Sequence, residues 1–166
     1  EDKDARFLDQ AEQEYRVGSK LDHKNVRHIE RMVKRTRRII QVTDVFLVME
    51  FLDGKSLDTH PPKTFVHATD IFHQAALGLA HMHERGFIHR DLKAPNVMVQ
   101  WNGEPEQAMR VLLVDLDGVR QVKRPCPAAE ARALGRLSLS LDHCRRVTRT
   151  DRLRFLGRGR TPQAPL

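Results

Sequence analysis

Between Ala5 and Leu21 the apolar residues fall at Phe7, Leu8, Ala11 and Tyr15 and then from Val17 to Leu21, with charged residues between them. This spacing predicts an amphipathic helix that stops before the polar run Asp22-His23-Lys24-Asn25. Val26 to Val33 and Ile39 to Leu52 are rich in β-branched and apolar residues, and the basic cluster Lys34-Arg35-Thr36-Arg37-Arg38 separates them. Two antiparallel strands with a positively charged connection are expected there. Asp53-Gly54-Lys55-Ser56 and His60-Pro61-Pro62-Lys63 carry turn chemistry, so the segment around them is expected to be irregular.

Thr69 or Asp70 suits the cap of a second helix, with Ile71, Phe72, Ala75, Ala76, Leu79, Met82 and His83 as its inward positions. That helix is predicted to end at Arg85-Gly86, where glycine accepts the left-handed conformation. Val97 to Trp101 and Val111 to Leu116 read as short strands joined by the hairpin signal Asn102-Gly103-Glu104-Pro105. Such a pair aims Asn96 and Asp115 toward one another. Beyond Arg120 the pattern weakens to prolines at 125 and 127, a helix expected over 128–141 and a basic tail. The chain carries no internal repeat.

Composition narrows the class. Of 166 residues, 40% are apolar and 31% charged, which suits one soluble domain with a core and excludes a disordered or fibrous chain. No apolar run spans a bilayer and the start Glu1-Asp2-Lys3-Asp4 is too polar for a signal peptide, so a cytoplasmic location is expected. Cys126 and Cys144 have no Cys-x-x-Cys spacing and read as free thiols. The net charge of +7 is concentrated: residues 120–166 hold twelve Lys/Arg against three Asp/Glu, and residues 1–119 hold seventeen against nineteen. The basic tail is thus a candidate for peripheral contact with the inner membrane, against the plainer reading of a solvated arginine-rich surface. Lys34 to Arg38 lacks interleaved aromatic residues, so no nucleic-acid partner is expected. The five histidines from His60 to His83 lack zinc-site spacing and read as helix-surface or core residues.

The chemistry-bearing stretch is His89-Arg90-Asp91-Leu92-Lys93-Ala94-Pro95-Asn96, placed after an apolar helix and before a short strand. It resembles the catalytic loop of the protein kinase family, His-Arg-Asp-Leu-Lys-x-x-Asn. The likeness extends to Glu14 ahead of Leu21-Asp22-His23-Lys24-Asn25-Val26, to Leu47-Val48-Met49-Glu50-Phe51-Leu52-Asp53-Gly54 as strand and hinge, and to Val114-Asp115-Leu116-Asp117 in place of Asp-Phe-Gly. The resemblance implies an α+β fold of protein kinase-like type, mainly the helical C-lobe with part of the N-lobe (helix C, two or three strands and the hinge). Residues 1–52 are then the N-lobe remnant and hinge, 53–156 the C-lobe and 157–166 a basic, proline-containing tail. Neither a glycine-rich loop nor a strand lysine precedes Glu14, so a domain shortened at its start is expected.

The same resemblance implies ATP and Mg²⁺ and gives each residue a role. Asp91 accepts or orients the proton of the attacking hydroxyl, Lys93 neutralises the moving phosphoryl group, and Asn96 and Asp115 hold the metal, with Asp117 as the competitor for that place. His89 and Arg90 brace the loop. Glu14 pairs with a strand lysine, and backbone groups at Glu50 and Leu52 hold adenine. Residues 113–118, 134–138 and 148–156 look instead like the bacterial lipopolysaccharide core (Kdo) kinases, which phosphorylate a glycolipid sugar. A phosphotransferase acting on protein Ser/Thr is the leading expectation, with a glycolipid hydroxyl as the alternative acceptor. An inactive kinase-like fragment or binding module is the third reading.

Overall fold

A computed structural model describes residues 2–37, 41–101, 108–123 and 127–140. Helices and strands are mixed along the chain. Helix α1 (Asp2–Gly18) comes first, then an antiparallel pair of strands, β1 (Ile29–Arg37) and β2 (Gln41–Met49). A short strand β3 (Lys55–Ser56) precedes helix α2 (Phe65–Glu84), and β4 (Phe87–Ile88) follows it. Strands β5 (Val97–Trp101) and β6 (Ala108–Leu113) form a hairpin on which β3 adds a third strand, in the order β3-β5-β6. Strand β7 (Arg120–Gln121) pairs with β4, and helix α3 (Pro127–Ser140) completes the described chain.

Several boundaries differ from the sequence expectation, each for a local reason. Helix α1 starts and stops three residues early, and Phe7, expected on its inward stripe, is 69% exposed. Lys34 to Arg37 extend β1 rather than connecting the strands; Lys34 gains a carboxylate partner, Glu12, at 2.6 Å, and Arg35 lies over the Phe46 ring. Helix α2 begins five residues before Asp70, because the Thr64 side chain accepts the His67 N–H and caps the helix. Thr69 and Asp70 spend their oxygens inside the helix instead, Thr69 donating to the Phe65 carbonyl and Asp70 accepting from Gln74. Of the expected inward set only Ala76 is not buried, while the earlier start adds His67 and Ala68. Strand β6 ends at Leu113, before Val114 to Leu116. The connection at 102–105, Cys126, Cys144, Arg38 and the tail lie outside the described residues.

The core forms where α2 lies across the β5-β6 hairpin, joined by Val17 and Leu21 from the end of α1 and by Ala133 and Leu137 from α3. Ile71, Leu79, Met82, Val97, Val99, Val111 and Leu113 are essentially sealed from solvent. Each large apolar side chain so placed contributes about 1.5–3 kcal/mol against exposure. Gly78 lets α2 approach closely, since a Cβ there would stand 2.8 Å from the Asn25 carbonyl oxygen. Gly86 closes α2 as expected, at φ +77, with its N–H on the His83 carbonyl at 2.8 Å.

Asn25 joins the parts. Its side-chain amide donates to the Val111 carbonyl at 2.7 Å and to Gln74 at 3.0 Å, and its own carbonyl accepts the Leu113 N–H at 2.9 Å. The segment after α1 is thereby fixed to β6, the strand that leads into Asp115.

Candidate active site

The loop from His89 to Asn96 is held by its own backbone and by one buried ring. His89 is fully buried, and its Nε2 lies 3.3 Å from the Val114 carbonyl, which can only accept, so the ring carries its proton there. Burial pushes the His89 pKa down, which keeps the ring neutral. The Asp91 N–H turns back to the His89 carbonyl at 2.8 Å, and Arg90 between them takes φ 64, a left-handed conformation. Leu92 and Ala94 are sunk in the core beneath, so Asp91 and Lys93 face outward.

On that loop Asp91, Lys93 and Asn96 meet. Lys93 Nζ is 2.8 Å from Asp91 Oδ2. The Asn96 amide nitrogen donates to the Asp91 carbonyl at 2.9 Å and to Oδ2 at 3.3 Å. These contacts use the Asn96 amide nitrogen and leave its side-chain oxygen as an acceptor. The hydrogen bond from Lys93 is the largest influence holding the Asp91 carboxyl below its usual range, and the same pair raises Lys93.

Asp115 reaches this cluster through the backbone. Strands β5 and β6 pair Val97 with Leu113, and the Val114 N–H then donates to the Asn96 carbonyl at 3.0 Å. Asp115 follows directly, with φ 63. Its pKa is pushed up to about 6, first by burial, then by a hydrogen bond with Asp117 and by the charges of Asp117, Glu14 and Asp91. Both aspartates at 115 and 117 are therefore part of one acidic group. A hard divalent cation would relieve it: Mg²⁺ takes oxygen ligands, few of them from protein, and keeps its other positions for water and phosphate. Among the described residues no cluster of three or more His, Cys, Asp and Glu forms a complete cage. One carboxylate and one amide oxygen fit the sparse donor set that Mg²⁺ accepts.

Glu14 arrives on α1. Burial raises its pKa, and the Leu116 N–H, bonded to its carboxylate, acts in the opposite direction, as does the positive charge of Arg27. The chain itself thus supplies Glu14 with a backbone donor beside Asp115. Glu50, just after β2, is bonded at both oxygens, Oε1 accepting the His28 N–H at 3.1 Å and Oε2 pairing with Arg110 at 2.9 Å. Leu52 is buried with Leu112, Val114 and Met98 in a small separate apolar cluster, while Phe51 stands 87% exposed.

The structure also places residues that the sequence reading did not single out. Arg27 lies between Met49 and Met98, and Arg136 of α3 donates to the Arg90 carbonyl at 2.8 Å. Arg90, Arg120, Arg132 and Arg136, with Ile88 and Val122, line a cavity of about 400 Å³. The available signal for Arg27 was a charge in the otherwise apolar register of Val26 and Ile29; that for Arg136 was only its place in the stretch 134–138.

Comparison with known proteins shows the family. The protein kinase domain family matches residues 1–133. The chain belongs to the protein kinase domain family. It is 38% identical over 92 residues to the serine/threonine-protein kinase pkn2 of Myxococcus xanthus, covering 54% of this chain and 11% of that protein. It is 30% identical over 101 residues to the stress-activated protein kinase JNK of Suberites domuncula, covering 57% of this chain and 26% of that protein. A 38% identity over 64 residues to the serine/threonine-protein kinase STE20 of Yarrowia lipolytica covers 37% of this chain and 6% of that protein. The chain thus spans about a quarter or less of the curated relatives it matches.

Proposed function

We propose that this chain carries the phosphotransfer site of an ATP-dependent serine/threonine protein kinase. The observation that carries the reading is the Asp91 carboxylate: Lys93 and Asn96 bond Oδ2, and no described residue bonds Oδ1, which this reading gives to the incoming hydroxyl. In the reaction the acceptor oxygen bonds the γ-phosphorus, the bond from that phosphorus to the bridging oxygen breaks, and the hydroxyl proton passes to Asp91. Lys93, half exposed beside Asp91, offsets negative charge on the moving group. Asn96 and Asp115 would hold Mg²⁺, which supplies charge neutralisation on the phosphates when bound.

The backbone at Glu50 and Leu52 borders the base, and Glu14 supports the Asp115 segment from behind. The divisions at residues 52 and 156 remain the boundaries we assign to the small-lobe part, the helical lobe and the tail. A glycolipid sugar hydroxyl is the second acceptor reading, resting on the sequence at Leu113 to Gly118 and Leu134 to Ser138, where Asp117 replaces the usual glycine.

The test is Mg·ATP binding and phosphoryl transfer by this chain and by Asp115→Ala, with a serine/threonine peptide pool and a lipopolysaccharide core preparation as parallel acceptors. Transfer to peptide that is lost in the variant supports the reading. Equal signals from both proteins remove it, and transfer to the glycolipid alone moves it to the second acceptor.

A further inference from the structure

Arg27 is held in an unusual setting for a guanidinium. Its backbone N–H is fixed to the Leu113 carbonyl at 2.9 Å, close to Asp115 in the chain. Its side chain crosses the gap between the end of β2 and the start of β5, with Nη1 3.4 Å from Met49 Sδ and Nη2 3.3 Å from Met98 Sδ. Nε is buried and has no hydrogen-bond partner among the described residues. A thioether is a weak acceptor, and a charged fork of N–H donors favours paired oxygen or nitrogen acceptors far more strongly. The Glu14 carboxylate feels its charge, but no described carboxylate lies within ion-pair distance of it.

Both methionines adjoin the Glu50 to Leu52 segment. Met49 directly precedes Glu50, and Met98 packs with Leu52, Leu112 and Val114 as an apolar floor. That floor, beneath the Glu50 to Leu52 backbone, is where the proposed phosphotransferase reading puts the nucleotide base, and the inference rests on that reading. The Arg27 fork meets that floor at Met98, 3.3 Å from its sulfur.

We propose that Arg27 reads the purine edge, its two terminal N–H groups bonding O6 and N7 of guanine, so that the slot takes GTP at least as well as ATP. Guanine presents those two acceptors side by side, and the paired donors of an arginine match them in a bidentate contact. Adenine places its N6 amino group where guanine has O6, so a donor faces a donor and one of the two bonds is lost. An apolar side chain in place of Arg27 offers neither base this contact.

The experiment measures Kd for ATP, GTP, ITP and 7-deaza-GTP with Mg²⁺ on the full chain and on Arg27→Leu, with circular dichroism as the check on folding. GTP is expected to bind as tightly as ATP or more tightly, ITP to follow GTP because it keeps O6 and N7, and 7-deaza-GTP to weaken by about tenfold. In Arg27→Leu the GTP affinity falls by about tenfold or more and that for ATP by less, so the ATP to GTP ratio rises. Should Arg27→Leu not fold, the analogue series on the unaltered chain decides alone. Preference for ATP by more than about tenfold on the unaltered chain, or an unchanged ATP to GTP ratio in a folded Arg27→Leu, overturns the inference and leaves the phosphotransferase reading standing. Failure of every nucleotide to bind removes both.

Discussion

The ammonium of Lys93 sits 2.8 Å from Oδ2 of Asp91, on the same oxygen that Asn96 approaches at 3.3 Å. One carboxylate oxygen is thus committed to holding the loop, on a side chain that is half exposed. Asp91→Asn is expected to lower phosphoryl transfer by roughly 10²–10⁴-fold, the scale of a positioned base, while nucleotide Kd changes little. Transfer within twofold of the unaltered chain would count against Asp91 as the proton acceptor.

Lys93→Met gives a second reading of the same contact. Without the ammonium the Asp91 carboxyl returns toward its ordinary range, which a carbon-13 titration of that carboxyl measures directly. The sign for stability follows: a depressed folded pKa contributes stability above the ordinary 3.8, and that contribution is lost as pH falls through the depressed value. Lys93→Met therefore flattens the acid limb of a stability profile, by a small amount because both side chains are about half exposed.

Asp115 shows the opposite sign. Its carboxyl is raised from 3.8 to about 6, so the folded chain holds a proton that the unfolded chain has released between those values. Its contribution is full below about pH 4 and disappears as pH climbs through 6. Asp115→Asn is expected to remove that decline in urea melts run without divalent ions. An unchanged decline from pH 4 to 6 would contradict the assignment.

Gly78→Ala pits two effects against each other. Alanine gains about 1 kcal/mol of helix propensity over glycine. The new Cβ would meet the Asn25 carbonyl oxygen at 2.8 Å and a Leu113 methyl at 3.1 Å. The carbonyl has little freedom to retreat because it accepts the Leu113 N–H at 2.9 Å. Overpacking of this kind costs about 1–3 kcal/mol and is expected to win, lowering Tm. A higher Tm would show that α2 has room to shift.

Asn25→Ala leaves the Val111 carbonyl and one Gln74 bond without their donor inside the core. The expected loss is about 1–3 kcal/mol in chemical denaturation. Asn25→Asp should be no milder, since a carboxylate has no proton to give the Val111 carbonyl at neutral pH. A variant of either kind as stable as the parent would show that Asn25 is not the fastener described above.

Much of this was written in the local pattern. The apolar spacing of α2 identified Ile71, Phe72, Ala75, Leu79, Met82 and His83 as buried, and β5 matched its expected bounds. Asp91, Lys93 and Asn96 lie close in sequence and are brought together by a turn that their own residue types favour. The misplaced start of α2 has a local cause: the deciding bond was made by Thr64, whose alternative, Thr69, was equally open in sequence. The two-residue strands β3, β4 and β7 are too short to carry an alternation signal, and they exist because a neighbour pairs with them. Arg27 was invisible for another reason. Its setting depends on Met49 and Met98, which come from distant strands, and no periodicity along the chain relates the three.

Arg90 at φ 64 and Asp115 at φ 63 are the non-glycine residues with positive φ among those described. A left-handed backbone disfavours an L side chain by roughly 1–2 kcal/mol, so neither arrangement is the local preference of its own peptide. The His89 ring, reaching from one to the carbonyl just before the other, couples the two. Local frustration in the folding landscape is therefore gathered at the peptides that flank the carboxylates, and these are the places where the native basin should be shallowest and the last to settle as the chain folds.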